Sequence, residues 1–465
     1  MKKRIICFVL AILSLLAVCS CSCVRGNSKY DYDDLTEYIK LPNYKSHEFS
    51  LDEDDIKLAI GTYLMQYSSE YTIKRGDRVN VDIKFYKLQA PGVSIKGEEI
   101  TELFQDDIWL DNVATPNADG KYQISYQIEN GIIGSKISSS PINKQYTLAD
   151  DFFVEEYRGT EVFVDITVNN KEAERGDVVM ASYTGYYIND DGSIVQEDGK
   201  DKTFDTSDSS IFYIGSHLAI DDFEEGLIGA SVGVEKDIYA TFPEDYEPVA
   251  DLAGKRVLFR AKVKTFYTAP KYNDAFVQTY FVGFETTKEF EEALKKEYTL
   301  TLVYEYISEN AQVIEYPKAE YKAAEKQLVE IEGAFASNMN TTLDKYIEST
   351  YGMTRDEYIK SNMKTEMIFY SLRNMIGDSI EPTEAEMSAA KDNLIADYKN
   401  QYMQNDGLTE SVALSSAKEM VEALGESYIY ENVLYTKIDD VIPTQVSVTL
   451  DPADYTDYVF DAQTE

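Results

Sequence analysis

The stretch YIGSHLAIDDFEEGLIGASVG, residues 213–233, decides the architecture. Its closing half, EEGLIGASV (224–232), has an earlier counterpart in ENGIIGSKI (129–137). Upstream, RGDVVMASYTGYY (175–187) parallels RGDRVNVDIKFYK (75–87). Downstream, GKRVLFRAKV (254–263) parallels GTEVFVDITV (159–168). Three matched blocks in one order predict two tandem copies of a β-rich unit of roughly 95 residues. Both copies show strand alternation bounded by glycine turns, and Asn189-Asp-Asp-Gly192 reads as a turn between two strands.

The flanks read differently. Asp52-Glu-Asp-Asp55 precedes Ile56, Ala59, Ile60 and Tyr63, which share one helical face, and the acids suit the first turn of that helix. From about Tyr272 the period changes to that of helices. Thr286 with Glu289, Thr354 with Glu357, and Thr383 with Glu386 have the spacing of capping boxes. Pro317 opens a helix whose stripe is Tyr321, Ala324, Leu328, Ile331 and Phe335, read as buried core. A last strong helix is expected near Ser415 to Leu434, and Pro443 ends the region. The tail Gln445–Leu450 alternates like a strand that returns to an earlier element.

The amino terminus carries an address. Lys2, Lys3 and Arg4 precede an apolar run from Ile5 to Val18, too short for a membrane span of about 20 residues and suited to a signal peptide. All four cysteines lie at positions 7, 19, 21 and 23, so no disulfide framework or zinc site follows from their spacing. Leu16 to Cys23 resembles the lipobox of bacterial lipoproteins. Cys21, after Ser20, is the best lipidation site, with Cys19 and Cys23 as alternatives. The expectation is an extracytoplasmic protein anchored to the bacterial membrane by acyl chains.

The net charge of −39 argues against nucleic-acid binding, which needs clustered Lys and Arg. No phosphate-binding loop or dinucleotide fingerprint is present. The chain has two histidines, His47 and His217, and neither has an acidic pair arranged around it in the sequence. Chemistry without a metal or a nucleophile must rest on shape and electrostatics. Rotation about an X-Pro amide, with its barrier of ~18–20 kcal/mol, is such chemistry.

Five ordered blocks then carry a resemblance: GDVVMASYTGYY (176–187), FDTS (204–207), the 213–233 stretch, TFPEDY (241–246) and LAGKRVLFRAKV (252–263). Together they resemble an FKBP-type peptidyl-prolyl cis-trans isomerase of the trigger-factor branch. That likeness implies a twisted antiparallel sheet wrapped on a short helix beginning near Phe223. It implies a proline pocket with Tyr183 and Phe204 as walls, Asp205 near the reacting amide, and Ile220 offering its backbone N–H to a substrate carbonyl. Phe223 would form the base, Tyr246 the rim, and Phe259 the last-strand wall. Ser210 stands where the family usually has Phe, and Asp222 replaces a common Gly. The first copy has Ile83, Ile128 and Val164 where the second has Tyr183, Phe223 and Phe259, and reads as degenerate. The helical region, with Asn273–Val277 and Tyr351–Tyr358, resembles the carboxy-terminal chaperone domain of trigger factor.

The expected fold class is α+β and multidomain: two tandem FKBP-like antiparallel β domains, the first degenerate, then a helical trigger-factor-like domain. Expected boundaries are 1–20 for the signal peptide, 21–34 for a tether, 35–74 for an extended and helical segment, and 75–170 for the degenerate copy. The isomerase domain follows at 172–268, the helical domain at 272–442, and the tail at 443–465. The implied activity is prolyl isomerisation at the cell surface, with chaperone-like holding of unfolded exported polypeptides, and with no cofactor or metal. A non-catalytic peptide-binding lipoprotein is the alternative.

Overall fold

The structure is a computed structural model. It describes residues 35–461 apart from 75–78, 91–92, 101–106, 110–132, 136–137, 149, 151–154, 245 and 247–248. The leader, its cysteines and Ile128 therefore lie outside the described residues, as does the side chain of Ile83. The chain divides into two units, one of residues 56–290 with the segment from 453 on, the other of residues up to 55 with 291–452. The expected segments 35–74 and 443–465 are thus each split between units. One cause is a pairing that local pattern cannot show. Strand β1 (Glu48–Asp52) runs parallel to Ser447–Asp451 from the far end of the chain, with Phe49 opposite Val448.

Helix α1 (Glu53–Gln66) follows with three acids in its first turn, and it buries Ile56, Ile60 and Leu64. The first sheet contains β2 (Val79–Ala90), β3 (Val93–Glu99), β4 (Ser138–Thr147) and β5 (Glu161–Lys171), ordered β3-β2-β5-β4. The second contains β6 (Asp177–Tyr187), β7 (Thr203–Tyr213), β8 (Glu235–Thr241) and β9 (Arg256–Thr268), ordered β7-β6-β9-β8. The two orders are the same once the repeat is aligned, and the ladders between these strands are antiparallel in both. The duplication read from three sequence blocks is therefore a duplication of topology.

One buried apolar cluster runs through both copies, from Phe85, Val164 and Ile166 to Val179, Phe223 and Phe259. Where the copies join, the buried ammonium of Lys171 pairs with Asp177 and lies 5.1 Å from the rings of Tyr71 and Phe266. A charge so buried persists only when paired. Asn189 and Gly192 form the expected turn after β6, with Gly192 at φ 83°.

The other unit is helical. Its core joins Tyr44 and Phe49 to Val303, Ile307, Leu372, Leu434 and Ile438. All three capping boxes form: Thr286 with Glu289, Thr354 with Glu357, and Thr383 with Glu386 each exchange both hydrogen bonds. Pro317 stands just before the helix Lys318–Asn338, as the expected opener. The stripe on that helix is corrected in part, since Leu328 is buried but Phe335 is 54% exposed. The last long helix spans Glu410–Val441, bent at Gly425, and the segment with Pro443 follows it.

Candidate active site

Alternation on the second sheet sends Val179, Ala181, Tyr183 and Gly185 of β6 to one face. On the neighbouring β9 the same face takes Val257, Phe259, Ala261 and Val263, with Phe259 directly opposite Gly185. Helix α2 (Asp221–Leu227) crosses this face and buries Phe223 and Leu227. The rings then meet. Phe223 lies 4.8 Å from Phe259 and 5.9 Å from Tyr183, while Tyr183 lies 5.9 Å from Phe259. Phe204, from edge strand β7, reaches Phe259 at 5.4 Å. Most of these contacts are edge-to-face, the arrangement the ring quadrupole prefers.

Exposure is graded across the cluster. Phe223, Phe259 and Phe242 are buried and form a floor, whereas Tyr183, Phe204, Ile220 and Tyr246 are half-buried around it. The sequence-derived residues thus converge. Tyr246 touches the others through Phe242, whose ring lies 4.7 Å from Tyr246 and 5.8 Å from Phe204.

Polar groups occupy one side. The Tyr183 hydroxyl donates to Asp205 Oδ2 at 2.6 Å, and Asp205 Oδ1 accepts from the Thr206 N–H at 2.8 Å. Burial, then the hydrogen bond and charge of Asp205, push the Tyr183 phenol up to about 12. It therefore remains a neutral donor at any working pH. Ser210 directs its hydroxyl to Ser207 instead of supplying a ring. Two residues on, on the same face of β7, Phe212 provides one, 4.9 Å from Phe223 and 5.9 Å from Tyr183.

The loop from Gly215 to Ile220 is held from inside by Glu224. Its buried carboxylate accepts from the N–H groups of Gly215, Ser216 and His217 at 2.8, 3.0 and 3.2 Å, and from Ala219 at 2.8 Å. Burial still pushes this carboxyl above its ordinary value, against those donors. The loop ends at Ile220, which caps α2 in an extended conformation (φ −60°, ψ 128°). Its N–H meets no acceptor among the described residues, so it is available to a ligand carbonyl. Asp222 accepts from the Thr241 N–H at 2.9 Å, tying α2 to the end of β8.

The sequence reading passed over three contributors: Phe212, Phe242 and Glu224. Two sit inside blocks already singled out, and Phe212 directly precedes one. Phe242 belongs to TFPEDY and Glu224 follows Phe223, but only packing shows which residues of a block turn inward. A further correction concerns His217, which does have two carboxylates around it, those of Asp221 and Asp457. Asp457 comes from the far end of the chain, beyond any local pattern. His47 instead stacks on Tyr306 at 4.0 Å.

A family model described as FKBP-type peptidyl-prolyl cis-trans isomerase matches residues 169–264. These residues form an FKBP-type domain. The matched range covers β6, β7, β8 and most of β9, together with the ring cluster and α2. Curated relatives extend the likeness beyond this FKBP-type domain. The chain is 26% identical to the trigger factor of Agathobacter rectalis over 282 residues, covering 55% of this chain and 61% of that one. It is 28% identical to the trigger factor of Francisella tularensis subsp. novicida over 316 residues, 63% of each. To the trigger factor of Malacoplasma penetrans it is 32% identical over 164 residues, 34% of this chain and 33% of the relative. The chain thus spans about three fifths of the first two relatives and a third of the last. It is trigger-factor-like, with the FKBP-type domain set between a first β-rich copy and the helices.

Proposed function

We propose that this protein is a peptidyl-prolyl cis-trans isomerase that assists the folding of unfolded polypeptides and also holds them. The observation that carries the reading is the convergence of Tyr183, Phe204, Phe223 and Phe259 on one half-open apolar face beside Asp205 and the Ile220 N–H. A proline ring fits an aromatic concavity of that kind. The amide loses its resonance in the twisted state, and a dry surface with few fixed donors favours that state over the solvated planar one. Uncatalysed X-Pro isomerisation takes tens to hundreds of seconds, long enough to limit folding.

Holding is supported by apolar side chains left uncovered on the helical unit. Val329, Phe335 and Met339 on and just after the helix Lys318–Asn338 are 48%, 54% and 68% exposed. Export and anchoring at the cell surface form the outer part of the proposal, and sequence alone supports them: the basic start, the short apolar run and Cys21, with Cys19 and Cys23 as alternatives. No helix among the described residues is long and apolar enough to cross a membrane. Mass spectrometry of the mature amino terminus reads the lipid and its cysteine directly.

The deciding experiment is a proline-limited refolding assay beside a proline tetrapeptide assay. Catalysis that is lost in Phe204→Ala and Asp205→Leu supports the isomerase. The alternative, a non-catalytic holdase, is favoured by the Ser210 departure. It predicts slowed aggregation with an unchanged isomerisation rate in the wild type.

A further inference from the structure

The loop that Glu224 holds from inside is also held from outside by the end of the chain. Residues 455–461 lie along Gly215 to His217. The Val459 N–H donates to the Gly215 carbonyl at 3.0 Å. Tyr458 and Phe460 are buried, and the Phe460 ring lies 6.3 Å from that of Tyr213. Lys57 of α1 holds Asp461 at 2.6 Å. Arg175 bridges the Asp457 and Glu225 carboxylates, 2.6 Å from each, and packs against Gly215 so closely that a Cβ there would lie 2.8 Å from its Cγ. With φ at +87°, Gly215 is also in the region that favours glycine.

His217 is the centre of this clamp. Its ring stacks on Tyr455 at 4.0 Å and meets the edge of Tyr458 at 5.1 Å. Nδ1 lies 2.7 Å from Asp221 Oδ1, in hydrogen-bond geometry. Nε2 lies 3.2 Å from Asp457 Oδ1, at ion-pair distance but without hydrogen-bond geometry. In the neutral imidazole the single proton on Nδ1 serves Asp221, so Nε2 turns a lone pair toward the Asp457 carboxylate. Only the doubly protonated ring attracts both.

We propose that His217, clamped by residues 455–461, is a positioning residue that fixes the loop carrying the Ile220 N–H, and that protonation of its ring closes the clamp. The charged and titratable groups facing it are Asp221 and Glu224 from α2, and Asp457, Tyr455 and Tyr458 from the tail. Arg175 stands behind Asp457. Burial pulls the imidazole pKa down, but the hydrogen bond and charge of Asp221, with the charges of Asp457 and Glu224, outweigh it and leave it raised. A raised value in the folded state gives a clamp that is fully present below the ordinary histidine range and lost as pH rises through the raised value. The catalytic consequence rests on the isomerase reading; the clamp itself does not.

The test is hydrogen exchange on the full chain at pH 6 and pH 8.5, with intrinsic rates normalised, in peptides covering 213–220 and 453–461. The KM and kcat for a proline tetrapeptide are followed over the same range. In the wild type, protection in both peptides is expected to fall about tenfold at the higher pH, and KM to rise several-fold while kcat holds. His217→Gln and Asp457→Asn keep the buried Tyr458 and Phe460 and should flatten both profiles. Protection in the wild type that ignores pH, or that changes equally in both variants, overturns the proposal. Absence of isomerase activity alongside the expected exchange pattern overturns the enzyme reading and leaves the clamp standing.

Discussion

A Cβ at Gly185 would lie 2.7 Å from Phe204 Cε2 and 2.9 Å from Cε1, so the Phe204 ring occupies the space that a side chain at 185 would need. In the first copy the aligned position is Phe85, which is fully buried. The registers match: Val164 faces Phe85 across one ladder, and Phe259 faces Gly185 across the other. The first copy fills with its own ring the place that the second leaves to a ring arriving from the edge strand. This is the physical sense in which the first copy is degenerate. Its core is packed at the point where the FKBP-type domain opens.

Gly185→Val should expel the Phe204 ring from its place against Gly185. Overpacking of this kind costs about 1–3 kcal/mol. Refolding catalysis should fall at least about tenfold, equivalent to 1.4 kcal/mol of transition-state stabilisation. Urea unfolding beside the tetrapeptide assay measures both. Unchanged activity would mean that the Phe204 wall is not used.

Tyr183→Phe and Asp205→Asn separate the ring from its polar partner. Tyr183→Phe keeps the apolar wall and removes only the hydroxyl that Asp205 accepts. A loss of about three- to tenfold in kcat/KM, with little change in thermal stability, is expected for each variant. The double variant should lose no more than the worse single one, because the two groups share one bond. With the phenol pushed up to about 12, the wild-type rate should show no break from this residue between pH 7 and 10.

Phe242→Ala removes a buried ring that links Phe204 to Tyr246. Truncation of a buried Phe costs about 3–5 kcal/mol. Phe242→Leu keeps most of the volume and should retain the fold while loosening the rim. The KM for the tetrapeptide should then rise more than kcat falls. Equal kinetics for Phe242→Leu and wild type would exclude Phe242 from the site.

The helical unit carries its own pH dependence. Burial pushes the Asp439 carboxyl up to about 6, against the hydrogen bond from the Tyr304 hydroxyl at 2.7 Å. Its folded value lies above an unfolded value near 3.9. Its contribution is therefore greatest below about pH 4 and is lost as pH rises through about 6. A two-unit shift corresponds to at most about 2–3 kcal/mol. Denaturation of the helical unit should be easier at pH 7.5 than at pH 5, and Asp439→Asn should flatten that difference. A slope that survives the substitution would place its origin elsewhere.

Local chemistry made much of this protein legible. The three Thr–Glu boxes formed because each reciprocal bond is satisfied within four residues. The duplicated topology followed from matched turns and strands, while Tyr183, Phe204, Phe223, Tyr246 and Phe259 came from the resemblance that five ordered blocks carry. Residues acting over longer range stayed hidden. Phe212 supplies the ring that Ser210 lacks, and only its packing against Tyr183 and Phe223 shows it. Phe335 shares a helical stripe with Leu328, yet it is more than half exposed.

The sequence alone therefore determined the repeat and the helix caps, because each depends on residues that are neighbours along the chain or spaced by a secondary-structure period. Only the tertiary structure decided which ring takes the place left by Gly185, that Asp457 faces His217, and that strand 447–451 lies against 48–52. Those pairings join residues with no shared period, and the chain finds them only when burial of apolar surface brings distant segments together.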